Sequence, residues 1–198
     1  MSSAELTNTD SDWKLPSQRK VGMICLILTE SALFTIFVVA YVWYMGKSLN
    51  GPFPKEVLHI PWLASIALFG SSFTVTIAEK FLHKGNRALF HVWWLVTIAL
   101  GAYFVYFTGA EWYHLIYKEN LTISTNVFGS TFYSLVGLHA SHVIVGLILL
   151  SIVVISSFRG KLDPGHSEHV EMIAWYWHFV DAIWVVVLTL VYFISVNY

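Results

Sequence analysis

Charge is scarce in this 198-residue chain. Asp, Glu, Lys and Arg make up 12% of it, about half the ~25% of a soluble domain. Cysteine is nearly absent. The single Cys25 excludes an intramolecular disulfide and any multi-cysteine zinc or iron–sulfur site. A basic surplus is missing too: the formal net charge is −1, which argues against a nucleic-acid binder, since that needs cations for the phosphates. There is no internal repeat, low-complexity tract, Walker loop, nucleophile elbow or HExxH motif. What fills the sequence is apolar. Residues of the AVILMFWYC set reach 57%, aromatics 17%, and the mean hydropathy is +0.65. This composition excludes a disordered chain and a soluble globular domain. It predicts a polytopic membrane protein, with Trp and Tyr gathered at the bilayer interfaces.

Charges mark the segments. Residues 1–20 form a polar tail, and 21–198 a single transmembrane domain. Apolar stretches predict five spans at about 21–45, 57–79, 88–112, 127–158 and 170–195. The uncharged stretch from Asn120 to Phe158 is too short for two ~20-residue spans and a loop. It therefore reads as a polar lead-in followed by one long, tilted helix. The first span is too long for a signal-peptide core and lacks an A-x-A-like site after it. Breakers stand where turns are needed: Gly51, Pro52 and Pro54, then Gly85 and Asn86, then Gly160, Pro164 and Gly165. The expected fold is an all-α membrane protein, a five-helix transmembrane bundle. The positive-inside rule orients it. Lys14, Arg19, Lys20, Lys80, Lys84, Arg87, Arg159 and Lys161 share one side; only Lys47, Lys55 and Lys118 lie on the other. This places the N-terminus in the cytoplasm and the C-terminus on the outer, periplasmic side.

An ionisable group inside a span costs at least ~2.5–3.5 kcal/mol at the helix centre, so each needs a partner, a cavity or a function. Glu30 lies roughly 14 Å into the first span, and His178 and Asp181 roughly 12 and 16 Å into the fifth, at ~1.5 Å per residue. His139 and His142 lie near the middle of the fourth. All five fall at similar depth. His139 and His142 are spaced i,i+3, as are His178 and Asp181, so each pair shares a face, and a carboxylate one turn away can orient an imidazole. Two readings stay open: a neutral polar cluster gluing the first, fourth and fifth spans, or a proton-linked site. Glu30, with only Thr29 and Ser31 as polar neighbours, leans to the second. Glu79, Glu111 and Trp112 read as helix-end residues within reach of water. Arg159, ending the fourth span, is a candidate for a lipid phosphate or a snorkelling side chain. The small residues Gly129, Ser130, Ser134, Gly137, Ser141 and Gly146 allow close helix approach, within the chain or to a partner. Histidines on facing helices could also ligate haem or copper, although His139 and His142 share one helix.

Two stretches, FGSTFYSLVGLHASHVIVG (128–146) and EMIAWYWHFVDAIW (171–184), together resemble subunit III of haem–copper respiratory oxidases, above all of cytochrome c oxidase. The family pattern G-x-H-x-x-H-V-x-x-G is matched by Gly137, His139, His142, Val143 and Gly146. Its last-helix pattern W-Y-W-H-F-V-D-x-x-W is matched by Trp175 to Asp181 and Trp184. Glu111 and Trp112 match the E-[WY] pair of its middle helix. Its Ser-Glu pair is matched in part, as Thr29, Glu30, Ser31. The resemblance covers about residues 20–196.

The resemblance implies an accessory subunit of an aerobic terminal oxidase in the bacterial inner membrane. It is the short five-helix type, lacking two helices that precede the Ser-Glu helix in longer members. It implies no catalytic residue, cofactor or metal in this chain. Haems and copper are expected in partner subunits. The main contact is expected with oxidase subunit I, with subunit II and others in the complex, and with structural phospholipids. The implied work is to stabilise subunit I, bind lipid and support proton uptake while the complex reduces oxygen to water and pumps protons. The family's carbodiimide-reactive glutamate maps onto Glu30. Cytochrome c is the preferred electron donor. A quinol oxidase or nitric oxide reductase subunit is the alternative, and a free-standing haem-binding cytochrome a third.

Overall fold

The computed structural model describes residues 17–160 and 167–196. The expected tail up to residue 16, with Lys14, lies outside these residues, as do Lys161, Pro164, Gly165 and the last two residues. Six helices follow one another: α1 (Gln18–Tyr44), the short α2 (Pro54–Val57), α3 (Trp62–His83), α4 (Arg87–Tyr117), α5 (Val127–Phe158) and α6 (Ser167–Val187), which continues as a π-helical end, Leu188–Ile194. Five are long and apolar enough to cross a membrane, and no strand occurs among the described residues. The chain is an all-α, five-helix membrane bundle.

The helix ends follow local chemistry. Ser17, Asn86 and Asn126 cap α1, α4 and α5, each side chain accepting from a backbone N–H three residues on. The turn from α3 to α4 needs a left-handed residue, and Gly85 supplies it at φ 75°. Gly85 N–H then donates to Leu82 O and Asn86 N–H to Phe81 O, closing the C-terminus of α3.

Two expected spans are corrected. The second, placed at 57–79, runs Trp62–His83. Pro54 starts a helical turn of its own over Pro54–Val57, and Pro61 then holds the chain out of the helix until Trp62. The third, placed at 88–112, runs on to Tyr117. Glu111 does not end it, because its carboxylate is bonded within the bundle.

The core is organised by three tryptophans that reach other helices with their indole N–H. Trp94 donates to Leu150 O (2.9 Å), Trp177 to Ser71 Oγ (2.8 Å) and Trp184 to Ser65 Oγ (3.1 Å). Trp177 sits between two glycines. A Cβ on Gly101 of α4 would stand 2.7 Å from its ring, and one on Gly146 of α5 would stand 2.8 Å away. A buried hydrogen bond joins Thr74 to Thr97 (2.7 Å) across α3 and α4. In a bilayer such packing and hydrogen bonding, more than burial of apolar area, hold helices together. The glycines of the small-residue set are used inside the chain: Gly137 receives Trp112 and Gly146 receives Trp177, whereas Ser130 and Ser141 are exposed.

Candidate functional site: buried polar groups across the bundle

Glu30 and His142 meet where α1 crosses α5, with Glu30 Oε2 3.0 Å from His142 Nε2. The other ring nitrogen, Nδ1, lies 2.8 Å from Leu138 O. A carbonyl only accepts, so Nδ1 carries a hydrogen. The Glu30 contact then holds one proton, either on a carboxyl donating to Nε2 or on an imidazolium donating to the carboxylate. Phe34 packs on the His142 ring at 4.9 Å, and Tyr176 donates its hydroxyl to His142 O (3.3 Å). The pair stands in an open, mostly apolar groove of about 250 Å³, bordered by Met23, Leu26, Ser141, Val145, Leu149 and Tyr176.

His178 and Asp181 of α6 form a second group with Ser72 and Thr76 of α3. Ser72 donates to Asp181 Oδ2 and lies 3.1 Å from His178 Nδ1. Thr76 Oγ1 lies 3.3 Å from His178 Nε2. Asp181 Oδ1 is buried with no partner among the described residues.

His139 stands apart from both. It is completely buried, stacked on Trp184 (5.1 Å, 24°) with Phe104 against it edge-on (5.8 Å, 82°). Neither ring nitrogen has a partner among the described residues.

These placements correct the expectation of one cluster gluing the first, fourth and fifth spans. The i,i+3 histidines diverge, His142 toward α1 and His139 toward α4 and α6. Asp181 is not the direct partner of His178; Ser72 bridges them from the second span. Glu30, the one acid of the first span, is faced from the fourth by His142. Glu111 lies before the end of α4, half-buried, where Tyr192 donates its hydroxyl to the carboxylate, 3.1 Å from each oxygen. Trp112 packs edge-on against Tyr133 at 5.2 Å. Glu79 is half-buried within α3, four residues before its end. Arg159 caps α5 and is exposed. Among the described residues, no group of three or more His, Cys, Asp or Glu side chains is arranged to hold a metal.

The sequence reading missed the ion pairs Lys20–Glu171 (2.9 Å) and Arg19–Glu168 (3.7 Å), which tie the start of α1 to α6. The signal was present as basic neighbours at 19 and 20 and acids at 168 and 171 on one side of the membrane. Ser72 gave no signal, since a serine in an apolar helix is common.

A family model described as cytochrome c oxidase subunit III matches residues 15–196. The chain belongs to the cytochrome c oxidase subunit III family. Its relatives include a protein of Nocardia farcinica (strain IFM 10152) named probable cytochrome c oxidase subunit 3, 31% identical over 90% of this chain and 89% of the relative. The cytochrome c oxidase subunit 3 of Alkalihalophilus pseudofirmus (strain ATCC BAA-2126 / JCM 17055 / OF4) is 30% identical over 85% and 82%. That of Oryctolagus cuniculus is 31% identical over 87% and 68%. A member of this family is an accessory subunit of a haem–copper oxidase. This chain is thus a multi-pass membrane protein of a family whose members act with other oxidase subunits.

Proposed function

We propose that this chain is the non-catalytic subunit III of a bacterial terminal oxidase that takes electrons from cytochrome c, reduces oxygen to water and pumps protons. It lies in the inner membrane with its N-terminus in the cytoplasm. It packs against oxidase subunit I, which with subunit II carries the haems and copper, and it stabilises subunit I, binds phospholipid and supports proton uptake. The names of the three relatives above, each a cytochrome c oxidase subunit, favour this donor.

The observation that carries the reading is the Glu30–His142 pair. A carboxyl and an imidazole at 3.0 Å, in an open groove where α1 crosses α5, form a group that can hold one proton and pass it between two atoms within the membrane. His142 is fixed for this by Leu138 O and Phe34. Arg159, exposed at the C-terminal end of α5, is the candidate partner of a lipid phosphate on the cytoplasmic side.

The test is purification in mild detergent through a tag on the N-terminal tail, with a reduced-minus-oxidised spectrum and mass identification of the co-purifying chains. Haem bands with a large haem-bearing subunit and a copper subunit are expected. A chain that purifies alone and colourless, from cells that respire normally without it, would overturn the reading. Haem on the chain alone would return His139, His142 and His178 to the role of ligands.

A further inference from the structure

The outward face of α4 differs from that of α5. On α5 that face reads Ile144, Val145, Ile148, Ile152 and Ile155, all side chains that lipid tails solvate. On α4 it carries Tyr103, 41% exposed, and Tyr106, 75% exposed. Tyr103 stands near the middle of the 31-residue helix, about 24 Å from its start, and Tyr106 follows within one turn. Both therefore lie deep in a hydrocarbon core that is roughly 30 Å thick. Helical side chains lean toward the helix N-terminus, so these phenols point away from the outer interface, which is the nearer one.

Neither hydroxyl is bonded among the described residues, whereas several other hydroxyls in the spans are. Exposed Thr35, Ser141 and Thr189 donate to carbonyls of their own helices. A tyrosine hydroxyl stands too far from its own backbone to do this. Three better-buried tyrosines find partners in other parts of the chain: Tyr133 donates to Leu121 O, Tyr176 to His142 O and Tyr192 to Glu111, whereas the hydroxyl of buried Tyr41 has none among the described residues. Lipid tails offer no acceptor, and a hydroxyl left unbonded in hydrocarbon is costly. Small residues surround the two tyrosines. Ala99, Ala102 and Gly109 are exposed, and a Cβ on Gly109 would meet nothing within 4 Å, so another helix can come close.

We propose that the Tyr103–Tyr106 face of α4 is a protein interface, occupied by a transmembrane helix of another oxidase subunit that presents hydrogen-bond acceptors at mid-membrane depth. Backbone carbonyls freed at a kink, or Ser, Thr and Asn side chains, would supply them. The inference rests on the subunit III reading and deepens it by naming the docking surface.

The test places the photo-crosslinker p-benzoylphenylalanine at position 106, and for comparison at position 152 on α5, in cells making the whole oxidase. After irradiation the tagged complex is purified and its spectrum recorded. A covalent adduct from position 106 to a second oxidase subunit, absent from position 152, is expected. Adducts from 106 to lipid alone, or to a second copy of this chain, would overturn the interface while haem bands in the same preparation keep the subunit III reading. A preparation without haem-bearing chains would overturn both. The double variant Tyr103→Phe, Tyr106→Phe keeps shape and removes only the hydroxyls. Its loss from the complex in detergent should be about five- to tenfold faster, from two interhelical hydrogen bonds. An unchanged rate would contradict the proposal.

Discussion

At the scale of single residues, the proton held between Glu30 and His142 decides what substitutions do. Glu30→Gln keeps the length and supplies an amide N–H to His142 Nε2, so subunit retention should be close to that of the parent chain. Glu30→Leu leaves Nε2 unpartnered in the groove and should weaken the α1–α5 contact by about 1–3 kcal/mol. Thermal denaturation of the purified complex, read from this subunit's dissociation, checks both. Equal loss in the two variants would mean that the contact exists only as an ion pair. Ser72→Ala removes the hydroxyl that serves both Asp181 and His178. Asp181 Oδ1 already lacks a partner among the described residues, and this change also takes away the hydrogen bond that Oδ2 accepts. A loss of about 1–3 kcal/mol is expected, falling on the α3–α6 contact. An unaltered dissociation midpoint would show that another group takes over from Ser72.

At the scale of helices, Trp177 fixes the spacing of α3, α4 and α5 around α6. Its ring is rigid and fenced by Gly101 on one side and Gly146 on the other, so an added methyl has nowhere to go. Gly146→Ala should therefore cost about 1–3 kcal/mol by overpacking. Gly109→Ala, where a Cβ meets nothing within this chain, should leave the isolated subunit unharmed. Thermal unfolding in detergent separates the two, and a stable Gly146→Ala variant would mean the indole can swing aside. The apolar runs that made five spans legible say nothing of this wedge. Periodicity gives which residues share a face, not which neighbour that face meets. His139 and His142 differ by about 60° around α5, at 100° per residue, and the rotation of α5 sends one to α1 and the other to Trp184. Span ends were blurred for a different reason. Charge marks where a sequence can enter water, whereas α4 keeps Glu111 inside by bonding it to Tyr192.

At the scale of the whole molecule, an odd number of spans makes the start of α1 and the end of α6 open on opposite sides of the bilayer, and the proposed orientation rests on the basic residues. Lys80, Lys84 and Arg87 flank the α3–α4 turn, while the α4–α5 loop offers Lys118 alone. Under the proposed orientation, which follows the positive-inside rule, this turn faces the cytoplasm. The ion pairs of Lys20 and Arg19 with Glu171 and Glu168 lie on that same side. These pairs are partly exposed, so they contribute little to stability. Their use is in registry, since they close α1 onto α6 at the end where Glu30 has not yet been reached. Cysteine labelling tests the orientation directly. In a Cys25→Ser background, Ser124→Cys in the α4–α5 loop should react with a membrane-impermeant maleimide on intact spheroplasts. Lys84→Cys, exposed in the α3–α4 turn, should react only after lysis. The opposite pattern would turn the bundle over. It would then put Arg159 on the outer leaflet, where its pairing with a cytoplasmic-leaflet phosphate is impossible.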